Sequence, residues 1–348
     1  LGGASSVCGA HRGGLRLADC RVCRLAPGQR PATLYAVERA DGAGARLQDA
    51  ILWMAIAANL NMSFGGLIST KICNQSHGTD VFVAAAGVLG ISVPGDLFVE
   101  DPPPFDLDYR GLKDFRNALV RDRAVPDGAH VVVRDRSVVA SLPAAGFRMS
   151  DLLTPRFLQS LRDSTALFDD WMLPAWMPDQ KLPLVAVHLR RGDVVAANDS
   201  YGEGHRMTPD AWYYEVVRRI RTVLPDADVH VFSSTEGNYA SQDFDGYRLR
   251  HMTVHLDGNI LDSWVAMARA RVLVMAKSSF SHVPAMLNDN CVVYQKYWHL
   301  PLDGWVRAQA NDSAPLDAGA SEALGRCVAS KAGRRPRCAQ GSSIGACT

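Results

Sequence analysis

Six consecutive residues, His188-Leu189-Arg190-Arg191-Gly192-Asp193, bring two guanidiniums, an imidazole and a carboxylate into one short stretch. Adjacent guanidiniums are costly without an anionic partner, and their planar forks match the oxygens of a phosphate or diphosphate. The run before them is apolar and β-rich, so the sequence predicts a buried strand over 184–189 with the cluster at its carboxyl end. Ligands of open α/β sheets gather just beyond such strand ends. The arrangement selects a diphosphate-bearing ligand. Arg191-Gly192-Asp193 also spells the tripeptide that integrins read, but a buried strand running straight into it argues against an exposed loop tip.

Two further clusters carry related groups. Ser278-Ser279-Phe280-Ser281 follows a predicted strand at 271–275 and opens a helix to about Leu287, where hydroxyls and unpaired amides make an anion site. Capping accounts for one serine of the three. Asp262 stands just before a predicted helix at 263–270, where a carboxylate is a favoured cap. His188 bonds either a phosphate or ribose or, equally, a structural partner. Arg191 either shares the phosphate with Arg190 or pairs with Asp193.

The elements that must position these groups alternate in type. A strand is predicted at 34–37, then the loop Asp41-Gly42-Ala43-Gly44 and a helix from Arg46 to about Leu60. Strand, glycine loop and helix form the opening of a Rossmann-like half. Strands are expected at 81–83 and 130–133, and a helix at 151–170. Three prolines in 171–183 mark a connection between domains. In the second half Thr208 caps a helix, Pro209 suits its first position and Asp210 favours its positive end. That helix stops near Leu224, before Pro225. Strands follow at 229–232, 271–275 and 291–294. From Val306 the composition turns Ala-, Gly- and Ser-rich, which predicts no packed core there. The expected organisation is α/β: an irregular lead-in at 1–33, domains at 34–175 and 176–305, and an irregular tail at 306–348.

Bulk properties narrow the function. Lys and Arg number 37 against 36 Asp and Glu, so no polyanion-binding surface is indicated and nucleic acid is not an expected partner. The longest apolar stretch, 81–91, is broken by Gly87 and Gly90 and falls short of the roughly 20 residues a bilayer needs. The chain opens on Leu1 rather than Met, so an upstream segment is expected, with its nature as signal or membrane anchor left open. Cys8, Cys20 and Cys23 lie near the start and Cys327, Cys338 and Cys347 near the end, a pattern of disulfides tying down terminal segments in an oxidising compartment. Cys20-x-x-Cys23 lacks the second pair that a zinc site requires. Cys73 stands apart, and Cys291 opens a predicted buried strand and reads as an inert core thiol. Sequons at Asn61, Asn74, Asn198 and Asn311 agree with a secretory route.

Three blocks together resemble the donor-binding half of the fucosyltransferase superfamily that contains the α1,2-, α1,6- and protein O-fucosyltransferases. They are His188-Leu189-Arg190-Arg191-Gly192-Asp193, the strand at 229–233 with its Ser-Ser-Thr end, and Asp262-Ser263-Trp264 with Ser278-Ser279-Phe280-Ser281. The helix opened by Arg206-Met207-Thr208-Pro209 sits where the α1,6 type has one, and Gly42-x-Gly44-x-Arg46-Leu47-Gln48 is a fainter echo. The likeness covers 185–300 well and 34–70 loosely.

What the resemblance implies is a GT-B fold, two Rossmann-like domains facing across a cleft, with GDP-fucose held mainly by the second. It implies transfer to a glycan or protein hydroxyl in the Golgi lumen of the secretory pathway, with no metal or cofactor beyond the donor. Arg190 then meets the β-phosphate, Arg191 and Asp193 assist, and Asp262 reads guanine through N1–H and the 2-amino group. His188, Ser278, Ser279, Ser281, Gly42 and Gly44 complete the donor site. Where the α1,6 pattern has a glutamate this chain has Asn198, with Asp199 and Glu203 nearby. Two rivals follow: use of another nucleotide sugar, and a catalytically silent module that binds glycans or partners. The Asp pairs 106/108, 226/228 and 243/245 read as solvated loop carboxylates, and His251 and His255 lack a third metal ligand.

Overall fold

The computed structural model describes residues 30–39, 41–68, 79–91, 98–99, 101–122, 125–135, 137–177, 182–192, 194, 206–237, 239–310 and 314–331. The expectations for Cys8, Cys20, Cys23, Cys73, Cys338, Cys347, Asn74, Asp193, Asn198, Asp199, Glu203 and Asn311 fall outside those residues. Two compact units emerge, one holding the described residues up to Phe82 with Ile91–Gln159, the other Val83–Gly90 and the described residues from Ser160 on. The described residues of 171–183 belong to the second unit. The α/β class is as expected.

In chain order the front half runs β1 (Thr33–Val37), α1 (Ala43–Asn59), β2 (Ser63–Ile68), α2 (Thr79–Val88), β3 (Phe98–Val99), β4 (Leu107–Tyr109) and α3 (Leu112–Asp122). It continues with β5 (His130–Val133), α4 (Val138–Ser141), α5 (Met149–Leu152) and α6 (Pro155–Ser164). The strands make one parallel sheet in the order β3-β2-β1-β5-β4.

Two expectations are corrected here. The 81–83 run is not a strand but part of α2. Short apolar runs do not separate strand from helix by period, and the alanines that follow favour helix. The 151–170 helix contracts to α6, because Pro155 sets its start and Thr154 Oγ1 accepts from Phe157 N at 3.2 Å. Beyond Ser164 the chain tightens into short 3₁₀ turns.

The back half runs β6 (Leu184–His188), α7 (Asp210–Val223), β7 (Asp228–Ser233), α8 (Asp245–Arg248), β8 (Thr253–Leu256), α9 (Ile260–Arg269) and β9 (Val272–Val274). It ends with α10 (Ser279–Leu287), β10 (Cys291–Gln295), β11 (Val306–Ala308) and α11 (Ala318–Ser330). All strands pair in parallel, in the order β11-β10-β9-β6-β7-β8. All five residues of β6 are buried, as a central strand covered on both faces requires. From β6 the chain steps outward to β7 and β8, then returns to β9 on the other side. That is the 3-2-1-4-5-6 order of dinucleotide-binding sheets, whose switch point lies between β6 and β9.

The region from Val306 corrects a third expectation. It packs: β11 joins the sheet, and Ala320, Leu324 and Val328 bury one face of α11. Small residues hid the core there, because Ala and Gly carry little apolar bulk yet still allow close packing. Cys291 is not an inert thiol but is bonded to Cys327, with Cα atoms 5.9 Å apart. That bridge fastens α11 to β10, and a loop of this size typically adds about 2–4 kcal/mol.

Candidate functional site

The arginine motif sits at the switch point. Leu189 extends β6 by one register step, donating its N–H to Phe232 O at 2.9 Å and accepting from Ser233 Oγ at 2.9 Å. The chain then turns at Gly192, whose φ is +77°. A Cβ there would lie 3.3 Å from the Glu236 carbonyl, and one on Gly237 would lie 2.7 Å from the Gly192 carbonyl. Only glycines let the two loops close on each other. Asp257 shapes the second loop, accepting from Ser234 Oγ, Thr235 N and Thr235 Oγ1, and those bonds hold its carboxyl below the usual range.

Arg190 reaches from the end of β6 to the end of β9. Its Nη1 donates to Ser278 Oγ at 3.0 Å. Ser278 is the N-cap of α10 and accepts from Phe280 N at 3.2 Å. The guanidinium and the amino end of a nine-residue helix therefore share one serine at the switch point. This is a place where anionic charge is favoured twice, by the cation and by the helix dipole.

Arg191 turns the other way, and its guanidinium belongs to the fold. It is 6% exposed and donates to Asp210 Oδ1, the Thr208 carbonyl at 3.1 Å and the Arg190 carbonyl at 3.0 Å. The described partner of Arg191 is thus Asp210 at the start of α7. Arg191 and Gly192, the first two residues of the adhesion tripeptide, are both buried. Thr208 is not the cap of α7, which begins after Pro209; its Oγ1 donates to Gln295 Oε1 at 2.6 Å.

His188, the last residue of β6, is buried against Phe280 with ring centroids 5.0 Å apart. Burial, with Arg190 and Arg191 alongside, depresses its pKa to about 3, so the ring is neutral and Nδ1 has no described partner. It can offer a ligand a hydrogen bond but no charge. Ser279 Oγ lies 2.7 Å from His299 Nε2, which also accepts from Trp298 Nε1 at 2.9 Å. An indole N–H only donates, so that nitrogen is unprotonated and Ser279 donates to it. Ser281 bonds back to the Ala276 and Ser278 carbonyls at 3.4 Å. Asp262 does not cap its helix: α9 starts earlier, at Ile260, and Asn259 caps it by accepting from Leu261 N at 2.7 Å. That leaves Asp262 on the exposed first turn of α9.

The sequence reading passed over Asp210 as a ligand of the motif, and also Asp257, Asn259 and His299. Asp210 was visible only as a favourable helix-start acid, because its partner lies 19 residues away. Asp108 lies within β4 and pairs with Arg134, and Asp228 opens β7, so neither is a free loop carboxylate. Among the described residues no cluster of His, Cys, Asp and Glu is placed to hold a metal ion.

Gly42 and Gly44 belong to the first unit, Gly42 as the N-cap of α1 and Gly44 buried in its first turn. Glu38 and Arg46 form a buried ion pair below them. Two turns into α1, Asp49 is buried with Oδ1 lacking a described partner, and Oδ2 lies 3.5 Å from Arg39 Nη1. Burial raises its pKa to about 7 against the pull of Arg39, with Asp135 and Asp41 adding to the rise. Because the folded pKa is raised, the stabilisation is present below pH 4 and lost as pH climbs through about 7. Asp49→Asn should remove a penalty on the order of 4 kcal/mol at pH 8 and little at pH 4. Urea unfolding of both proteins at the two pH values checks this; equal effects at both would discard the assignment.

No family model matches the sequence, and no curated protein matches it. Solved structures do. One is POFUT1 in complex with GDP-fucose, 11% identical, covering 76% of this chain and 95% of that chain at a TM-score of 0.38. Another is the fucosyltransferase NodZ from Bradyrhizobium, 12% identical over 74% of this chain and 93% of that one at a TM-score of 0.40. NodZ α-1,6-fucosyltransferase soaked with GDP-fucose is 13% identical with the same coverage and a TM-score of 0.38.

Proposed function

We propose that the chain transfers fucose from GDP-fucose to a glycan or protein hydroxyl, without a metal. The observation that carries this reading is the Arg190–Ser278 bond across the β6/β9 switch point, at the amino end of α10. There the leaving diphosphate gains negative charge as the bond to the sugar breaks and the sugar becomes oxocarbenium-like. Fixed donors aimed at that charge stabilise the transition state more than the ground state. The acceptor oxygen bonds to the sugar carbon, GDP departs, and the acceptor proton is released. Asp262 on its exposed turn supplies the guanine-reading carboxylate. Geometry supports a nucleoside diphosphate; the sequence resemblance supplies the sugar. The Cys291–Cys327 bond supports an oxidising compartment, hence the secretory pathway and the Golgi lumen.

Ligand-induced stabilisation tests the reading. At about 100 times its Kd a ligand adds roughly 2.7 kcal/mol, or about 5 °C or more for a unit of this size. GDP and GDP-fucose should raise the melting midpoint in the presence of a chelator, while UDP and ADP should not. A shift with UDP-sugars alone would transfer the reading to another donor. Asn198 in place of the family's glutamate favours one alternative, a silent binding module. GDP binding with neither transfer nor donor hydrolysis would establish that alternative.

A further inference from the structure

Arg191 contributes three hydrogen bonds to the donor edge, and all of them run into the protein. One holds the Arg190 carbonyl at 3.0 Å, one the Thr208 carbonyl at 3.1 Å, and one Asp210 Oδ1. The same Asp210 oxygen accepts from Tyr247 Oη at 2.6 Å. Thr208 is fastened through Oγ1 to Gln295 on β10 at 2.6 Å. The side chain of Arg191 keeps 3% of its exposure and that of Asp210 keeps 41%. A buried guanidinium is therefore held by a carboxylate on the rim, and that carboxylate is held by a buried tyrosine.

We infer that Asp210 is a positioning residue for the diphosphate site, acting through Arg191 on the backbone and aim of Arg190. The inference rests on the reading of Arg190 as a diphosphate ligand. A cation this deeply buried keeps its place only with a counter-charge. If Asp210 loses its charge, Arg191 swings toward water and takes with it the bond that fixes the Arg190 carbonyl. The Arg190–Ser278 bond is then left without that backbone anchor beside it. The two adjacent arginines divide the work: Asp210 draws one into the fold, and the other is directed to the ligand. Tyr247 reinforces the division by fixing which way the Asp210 carboxylate faces.

Isothermal titration of GDP and of GMP separates positioning from general loosening, because GMP lacks the β-phosphate assigned to Arg190. Asp210→Asn should weaken GDP about ten- to a hundredfold, the span of a hydrogen bond to a charged group, and leave GMP unchanged. Asp210→Glu should recover part of the loss. On an Arg190→Ala background, Asp210→Asn should add little, since both changes act on one contact. Should Asp210→Asn fail to fold, Tyr247→Phe should give a smaller loss confined to GDP. Equal weakening of GDP and GMP, or unaltered GDP affinity, overturns the inference while leaving the donor reading intact. A wild-type protein that binds no GDP overturns the donor reading, and the inference with it.

Discussion

Arg190→Ala should yield a folded protein whose transfer rate is down about 10²–10³-fold, the usual cost of one donor aimed at developing charge. Its neighbour should behave differently: Arg191→Ala should damage the fold first. The contrast follows from what each guanidinium touches. Arg190 bonds Ser278, and when that bond goes Ser278 still accepts from Phe280 N and still caps α10. Removing Arg191 strips Asp210, Thr208 and its own neighbour's carbonyl of a common donor, beside the buried Tyr213 and Tyr247. Breaking a buried pair by deleting one partner costs about 3–5 kcal/mol, and the partial exposure of Asp210 places this case at the lower end. Thermal melts, GDP titration and a transfer assay across a glycan panel on both variants decide the matter. An Arg190→Ala protein with normal transfer would remove the mechanism, and a fully stable Arg191→Ala would remove the structural role given to that residue.

The second half was legible because its signals are local and strong. Leu184–His188 is a run of buried strand formers that ends in charge, and Pro209 and Pro225 bracket α7. Those features put Arg190 just beyond one strand and the serine turn just beyond another, which is where they lie. What the sequence hid was long-range or disguised by composition. Gly65 and Gly66 concealed β2, and the Ala-rich stretch from Ala318 concealed a packed helix. The Arg191–Asp210 pair was missed for a further reason: Asp193, two residues along, was the nearer candidate, and sequence distance is a poor guide to which carboxylate a turn brings close. The serines show the limit on roles. Their position was readable, but the division into a cap, a histidine partner and a back-bonded hydroxyl depended on His299 and on α10 starting at Ser279.

Acid should undo the second unit well before it troubles the first. His188 and His282 are buried neutral, with pKa values depressed to about 3 and about 4, chiefly by burial. Arg190 and Arg191 add to the depression at His188, while a backbone bond at Leu300 opposes it at His282. Both folded values lie below the ordinary histidine value. The stabilisation is therefore complete above about pH 6.5 and is lost as pH falls toward 4 and 3, since only the unfolded chain takes up the protons. At pH 5 each ring forfeits about 2 kcal/mol, so the pair forfeits about 4 kcal/mol. His255, lowered to about 4 by burial and by His230, adds a smaller amount because it is only half buried. Asp49 has the opposite sign, so acid stabilises the first unit where it weakens the second. Protease cleavage mapped by mass spectrometry along a thermal ramp should show β6 and α10 cut first at pH 5. At pH 8 that lead should shrink or reverse. His282→Phe keeps a ring among Tyr297, His299 and Trp305 and removes one titrating group, so it should flatten about half of the acid dependence. An unchanged slope would rule out the buried neutral imidazole as its cause. At pH 6 the two rings together forfeit only about 1.7 kcal/mol, so the same burial that makes the unit acid-labile costs it little in mildly acidic surroundings.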